Sequence, residues 1–372
     1  MASHRRFWKG EGPSLLLISP ESGPLYDTTD YARRFVDPQQ MWESEIRRAQ
    51  SVADWPTDGI PTVRPNLGVI FVPAIAGQSY ELKNDQMPWP GEPLAWDAIR
   101  AARRVDVAEA DLMRRAEAFY QIHRERGGAD IAPYHADTQG VFDIAHLLYG
   151  DGIFTAMAGD QSEQAQIFEL LEISLDLYLK VSRRLKGLLG EPSGSMIHGH
   201  GTSQGVFFPT GGVRASEDTA ILLSPAMIRH FIMPFIRRSL APFEGGFIHF
   251  CGLHRPFFEE LCQCPEVLAI DLGNPEKYDA RWVLERCAAS GTVFYSRLPA
   301  LEGEDPLTYV RRVGTLVRET KARSILRATV PSRNRDEACE MLALWRELTQ
   351  PDARHGLHEL ARIAEPRRKD SV

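Results

Sequence analysis

Short apolar runs that alternate with long segments of helical periodicity constrain this chain more than any other feature. SLLLIS from Ser14, DIAPYH ending at His135 and SMIHGH ending at His200 are each too short for a core helix. GGFIHFCG, VLAIDLG, TVFYSRL and SILRATV follow at intervals of roughly 20 to 35 residues. Between the runs, SEQAQIFELLEISLDLYLKVSRRLKGLL carries apolar residues every three to four positions, as one buried helix face requires. SPAMIRHFIMPFIRRSLAPF opens on Ser224 as N-cap with Pro225 at the first helical position. DPLTYVRRVGTLVRETKA and NRDEACEMLALWRELTQ continue the series. Parallel strands need a crossover between them, so strands spaced by helices imply a parallel sheet. A closed (β/α)8 barrel and an open doubly wound sheet both produce this pattern.

Length and composition narrow the class further. A chain of 372 residues with 43% apolar and 25% charged residues can build a sizeable core. Barrels with insertions commonly exceed about 250 residues as one unit, so a single domain over 1–372 fits. The net charge of −7, with acids and bases interspersed, leaves no basic face and argues against a nucleic-acid partner. No stretch approaches the roughly 20 apolar residues that span a bilayer, so no membrane partner is expected. MASHRRFWKGEG is too polar for a secretion signal, and five cysteines are an odd number for a disulfide framework. Together these point to reduced thiols in a cytoplasmic protein acting on a small molecule. Residues 51–97 are rich in Pro, Gly and Trp and read as an irregular amino-terminal insertion of long loops. The carboxyl-terminal EPRRKDSV has no apolar periodicity and reads as frayed.

Polar residues at the strand ends carry the chemistry. His249 and Cys251 in FIHFCG are two apart, so on a strand they point the same way. Imidazole and thiolate side by side at a strand's carboxyl end are half of a zinc site. His198 and His200 in HGH repeat the spacing, flanked by glycines that let a ligand approach. The alternative for HGH is an exposed, glycine-flanked turn. His135 and Asp137 close another predicted strand, where they can do acid–base work or orient a metal ligand. Asp218, shortly before Ser224, can meet a cationic or hydroxyl group of a substrate, and Arg297 can hold a substrate carboxylate. Cys262 and Cys264 read as small buried hydrophobes. No G-x-G-x-x-G, P-loop, G-x-S-x-G or H-E-x-x-H occurs.

The stretch GGVRASEDTAILLSPAMIRHFIMPFIRRSL, followed by GGFIHFCG, resembles the uroporphyrinogen decarboxylase-like superfamily. The resemblance is carried by an acidic D-[ST]-A element, a Ser-Pro helix start, Pro234 in the next helix and H-x-C-G. VLAIDLGNPEKYD and DIAHLLYGDGIFTAMAGDQSEQAQIF are similar to further elements in family order, so it spans about 130–345. It implies a (β/α)8 barrel with the active site at the carboxyl ends of the strands. The group includes the decarboxylase of haem synthesis and zinc methyltransferases that move methyl groups between corrinoid proteins and thiols.

Within that group the residues favour methyl transfer. The decarboxylase's arginine-rich R-Q-A-G-R element has no counterpart in LLLISPESGPLYDTTDYARR. His249 and Cys251 match the first two zinc positions of the methyltransferases. The third, a late cysteine, is missing: Ala328 and Thr329 stand there, and Cys339 lies in a predicted helix. Catalytic zinc accepts N, S and O ligands, so His198, His200 or a carboxylate such as Asp137 can supply the third, or His249 and Cys251 remain without metal. The resemblance also implies a corrinoid, as substrate or carried by a partner protein, and a homodimer closing the open end of the barrel. The alternatives are a metal-free decarboxylase anchored by Arg297 with Asp218 or Asp137 stabilising a cation, and a non-catalytic barrel that binds a corrinoid or tetrapyrrole.

Overall fold

A computed structural model describes residues 1–21, 30–83 and 86–351. The EPRRKDSV tail, and residues 22–29 of the stretch compared with the decarboxylase's arginine element, lie outside the described residues. Ten strands position the site: β1 Leu15–Leu17, β2 Ile60–Val63, β3 Ala132–Pro133, β4 Met196–His198, β5 Gln204–Phe208, β6 Val213–Ser216, β7 Gly246–Phe250, β8 Val267–Leu272, β9 Val293–Ser296 and β10 Ser324–Arg327. Six form one parallel sheet in the order β1-β10-β9-β8-β7-β6. A four-stranded sheet has the order β3-β2-β5-β4. There β2 and β3 run parallel, while β5 is antiparallel to both β2 and β4.

The architecture is therefore mixed α/β with a parallel sheet, as the alternation of runs and helices requires. It departs from the expectation at three places. SMIHGH is the first arm of an antiparallel hairpin, whose reversal into β5 passes through positive φ at His200 and Gly201. The 51–97 stretch is not all loop: it carries β2, a short helix at Phe71–Ile75, a two-residue ladder of Tyr80–Glu81 with Trp89–Pro90 and a helix at Trp96–Ala102. Pro61 interrupts β2 and donates nothing, and the strand is further tied by Thr62 N–H to the Ser203 carbonyl and Tyr134 N–H to the Val63 carbonyl. Finally, VRAS before the acidic element is a strand, β6, although it holds an arginine and a serine.

Three helices bear on the site: α1 Val141–Tyr149, α2 Gln161–Leu189 and α3 Met233–Leu240. At the start of α2, Asp160 accepts from Ser162 and Glu163 N–H while Glu163 accepts from Asp160 N–H, and Gly190 ends it at φ 68°. Ser224 accepts from Met227 N–H, as an N-cap should. A wide π turn over Ile228–Ile232 then leads into α3, just before Pro234. Proline has no N–H and collides with the carbonyl four residues back, and the wider turn relieves both defects.

Helix-facing and interior positions alternate along the parallel strands. Leu16, Ala215, Ile248, Ile270, Phe294 and Leu326 join the large cluster shared with the helices. Leu15, Leu17, Phe247, Ala269, Val293, Tyr295 and Ile325 form a second cluster with Met196, Val206 and Phe208 of the hairpin. Helices thus cover one face of the six-stranded sheet, and strands meet one another across the opposite face. No helix among the described residues is long and apolar enough to cross a membrane.

Candidate functional site

The interior face is apolar at the amino ends of the strands and polar at their carboxyl ends. Register explains what gathers there. His249 on β7 lies opposite Ser216 on β6 and opposite Asp271 on β8. The period of two that turns Phe247 and Ala269 inward turns His249 and Asp271 inward as well.

Asp271 is the centre of this layer and is fully buried. Its Oδ1 accepts from Arg327 Nη2 at 2.5 Å. Its Oδ2 accepts from His200 Nε2 at 2.8 Å and from His249 Nδ1 at 3.1 Å. Burial alone would raise its pKa, but Arg327, with His200 and His249, holds it well below the usual carboxylate range. An ionised carboxylate can only accept, so it fixes a proton on Nδ1 of His249 and on Nε2 of His200. Burial, above all, pulls His200 down to about 3, so that ring is neutral.

With Nδ1 occupied, His249 turns the lone pair of Nε2 outward. Cys251 Sγ lies 3.4 Å from it and Asp218 Oδ1 3.7 Å. Asp218 is itself located by accepting from Cys251 N–H at 2.6 Å. Donor atoms of Asp218, His249 and Cys251 all lie within 4.8 Å of one another. Zinc bonds of roughly 2.0–2.3 Å in a tetrahedron put donors roughly 3.3–3.8 Å apart, and both distances from His249 Nε2 fall in that range. His200, His249 and Asp271 meet the same distance limit. There, however, both oxygens of Asp271 are already taken and one faces a guanidinium, so that triplet reads as a hydrogen-bonded support. Without a metal the Cys251 thiol is pushed up to about 12 by burial and then by Asp218.

Two buried carboxylates hold Asp218 in place. Glu217 accepts from Phe142 N–H at 3.1 Å and Asp143 N–H at 3.3 Å, at the amino end of α1. Asp143 in turn accepts from Asp218 N–H and Thr219 N–H, both at 2.8 Å, at the start of the 3-10 turn Asp218–Leu222. Each segment caps the other. Burial, then the neighbouring Asp218, raises Asp143 to about 7. Burial, then Asp143, pushes Glu217 well above its ordinary value.

A carboxyl raised in this way binds its proton more tightly folded than unfolded. Its stabilising contribution is whole below the ordinary carboxylate range and is lost as pH rises to about 7. An Asp143→Asn variant removes that loss. Relative to the parent it should gain on the order of 2 kcal/mol between about pH 5 and about pH 8. Urea denaturation of both proteins at the two pH values measures this, and a pH-independent difference would contradict it.

The site opens into a cavity of about 270 Å3. His249, His200 and Asp218 line it together with Arg64, Arg214, Asp137 and Gln139. Asp137 Oδ1 accepts from Arg214 Nη1 at 2.5 Å, and its Oδ2 lies 3.7 Å from Arg64 Nη1. Of the residues singled out from sequence, Asp218, Asp137, His200, His249 and Cys251 are thus brought together. The other three do not reach the cavity lining. His198 packs edge-on against Tyr134 and Phe247. His135 is buried 3.4 Å from Glu191. Arg297 donates to the Gly273 carbonyl at 2.6 Å, outside the cavity lining.

Sequence reasoning missed Asp271, Arg327, Arg214, Arg64, Asp143 and Glu217. A lone charge inside an apolar strand run, as in VLAIDLG, SILRATV and GGVRAS, is the signal that could have found the first three. A larger groove of about 890 Å3 lies at the amino ends of β8, β9 and β10 and takes in Cys262 and Cys264. It shares no residue with the layer around Asp271, and size alone does not make it the reactive site.

No family model and no curated protein matches this chain. Among solved structures, a methyltransferase from Methanosarcina mazei superposes with a TM-score of 0.61 and 13% identity, over 92% of this chain and 96% of that one. The likeness is one of fold.

Proposed function

We propose that the chain is a methyltransferase of the uroporphyrinogen decarboxylase-like group that methylates a thiol, with His249, Cys251 and Asp218 as a zinc site. The observation that carries this is the convergence of His249 Nε2, Cys251 Sγ and Asp218 Oδ1 while Asp271 occupies Nδ1. A carboxylate behind a metal-binding histidine fixes ring orientation and tautomer. Asp218 then takes the position of the absent late cysteine, since catalytic zinc accepts N, S and O donors. Zinc, when bound, would supply the Lewis acidity that lets a thiol lose its proton near neutral pH.

The chain's own residues do the rest. Asp271 and Arg327 hold His249 in one orientation, and the Asp143–Glu217 pair fixes the backbone of Asp218. The cavity admits one small substrate and is too small to enclose a tetrapyrrole. In the transfer the thiol sulfur would bond to the methyl carbon as the bond from methyl to corrinoid broke, the electron pair leaving with the corrinoid. The corrinoid would be presented by a partner protein at the mouth, where Val69, Leu222 and Leu253 are large, apolar and exposed.

As part of the same proposal, the chain is a single domain whose two sheets close into an eight-stranded parallel barrel, β2 and β3 completing the ring. Its support is Asp58 N–H to the Leu16 carbonyl at 3.0 Å beside β1, and Thr138 Oγ1 to the Arg214 carbonyl at 3.4 Å beside β6. A second reading, a lyase for a small carboxylate, is favoured only by Arg64 and Arg214 in the cavity.

Metal content of protein purified without chelator, parent and Cys251→Ala side by side, tests the first reading. Near-stoichiometric zinc in the parent, lost in the variant along with methylcobalamin-dependent thiol methylation, is the expected result. Zinc-free parent protein, or full methylation by the variant, would discard it and bring the lyase forward.

A further inference from the structure

Two thiols far from the layer around Asp271 meet at the groove by the amino ends of the strands. The helix after β7, α4 Arg255–Cys262, packs beside the helix after β8, α5 Ala280–Ser290. Cys262 is the last residue of α4, and Cys287 lies in the last turn of α5 on the face it shares with Ser290. The Cys287 thiol donates a hydrogen bond to the Cys262 sulfur, and the Ser290 side chain reaches the same sulfur. The two cysteines differ in access. Cys262 is partly buried and, with Ser290, lines the groove of about 890 Å3. Cys287 is fully buried and takes no part in the lining.

An accessible thiol in contact with a buried one is the arrangement that reversible peroxide oxidation uses. The thiolate is the nucleophile, so the groups that favour it decide which sulfur reacts. The hydrogen bond from Cys287 is foremost among them and draws Cys262 below the ordinary thiol range, against the effect of burial. Glu259 and Arg286, 3.6 Å apart and both about half exposed, also face Cys262 and act in opposite directions. Cys264 lines the same groove but is pushed up, by burial and by donating to Glu266 Oε2 at 3.3 Å. Two cysteines in one groove thus have contrary tendencies, and the reactive one is backed by a second sulfur.

We propose that Cys262 and Cys287 form a dithiol that hydroperoxides oxidise, with Cys262 as the attacking thiol and Cys287 as the resolving one. The Cys262 sulfur bonds to one peroxide oxygen, the O–O bond breaks, and the other oxygen leaves with the electron pair and takes up the Cys262 proton. Cys262, oxidised by two electrons, is then a sulfenic acid. The Cys287 sulfur attacks it: an S–S bond forms, the S–O bond breaks, and hydroxide leaves with the Cys287 proton as water. The disulfide ties α4 to α5.

Limiting hydrogen peroxide added to the full chain, then alkylation and peptide mass mapping, is the test. A Cys262–Cys287 disulfide should form about tenfold or more faster than Cys264 or the exposed Cys339 is oxidised. Cys262→Ser should abolish it. Cys287→Ala should leave a sulfenic acid on Cys262 that dimedone traps; if that buried substitution prevents folding, the map of the parent decides. Oxidation of Cys264 or Cys339 ahead of Cys262 overturns the proposal. So does Cys262 carried to sulfinic acid while Cys287 stays reduced, or a pair that peroxide leaves untouched.

Discussion

An Asp271→Asn variant is expected to unfold about 3–5 kcal/mol more easily than the parent, the usual cost of removing one partner from a buried ion pair. The carboxylate satisfies three donors at zero exposure: Arg327, His200 and His249. Asparagine is nearly the same size, so no cavity opens, but it is neutral and one of its two heads is itself a donor. Arg327 would be left charged in the interior, beside the Tyr295 ring at 5.1 Å. Guanidinium chloride denaturation measures the cost, and a loss under about 1 kcal/mol would show that Arg327 finds another partner. Replacing Arg327 by Met in the same chain should recover part of the loss, because it removes the buried charge left without its counter-ion. The single variant should also bind zinc about 10–100-fold more weakly, since His249 loses what fixes its ring.

Gly140→Ala carries the next largest expected effect. A Cβ there would collide with Glu217 Oε1 and with the Ser216 carbonyl, each closer than the 3.0 Å that real Cβ atoms respect. The side chain of Glu217 cannot swing away without uncapping α1, and the Ser216 carbonyl belongs to β6. Backbone must therefore move, and overpacking of this kind costs about 1–3 kcal/mol or more. Gly140 has φ −107°, so alanine meets no conformational penalty and the effect isolates the clash. Thermal unfolding gives the stability loss. A matched fall in zinc affinity would show that β6, Glu217 and Asp218 shift as one, whereas an unaltered metal site would show that α1 moves instead.

The parallel strands β7 to β10 were legible because each is an apolar run between two helices long enough to show their period. β2 was not, since prolines at 56, 61 and 65 disguise the strand. β6 was hidden because Arg214 and Ser216 occupy its interior positions, and a polar alternation beside glycines resembles a loop. His249 and Cys251 could be paired from their spacing, a local property. Asp271 could not be joined to them, because its place opposite His249 depends on register between strands some twenty residues apart. Asp218 was visible as an acid near a helix start, but its approach to Cys251 follows from the caps that Asp143 and Glu217 exchange across more than seventy residues. Arg297 looked like a carboxylate anchor because it ends a strand run; one residue past the end of β9, it turns to the Gly273 carbonyl instead.

That exchange of caps limits how the chain can be recombined with a relative of the same fold. A crossover placed between residues 143 and 217 would inherit one carboxylate from each parent, and each would face backbone it was not selected to meet. Chimeras that carry 140–143 and 216–222 from the same parent should express as soluble protein far more often than those that split them, whatever happens in the long helix between.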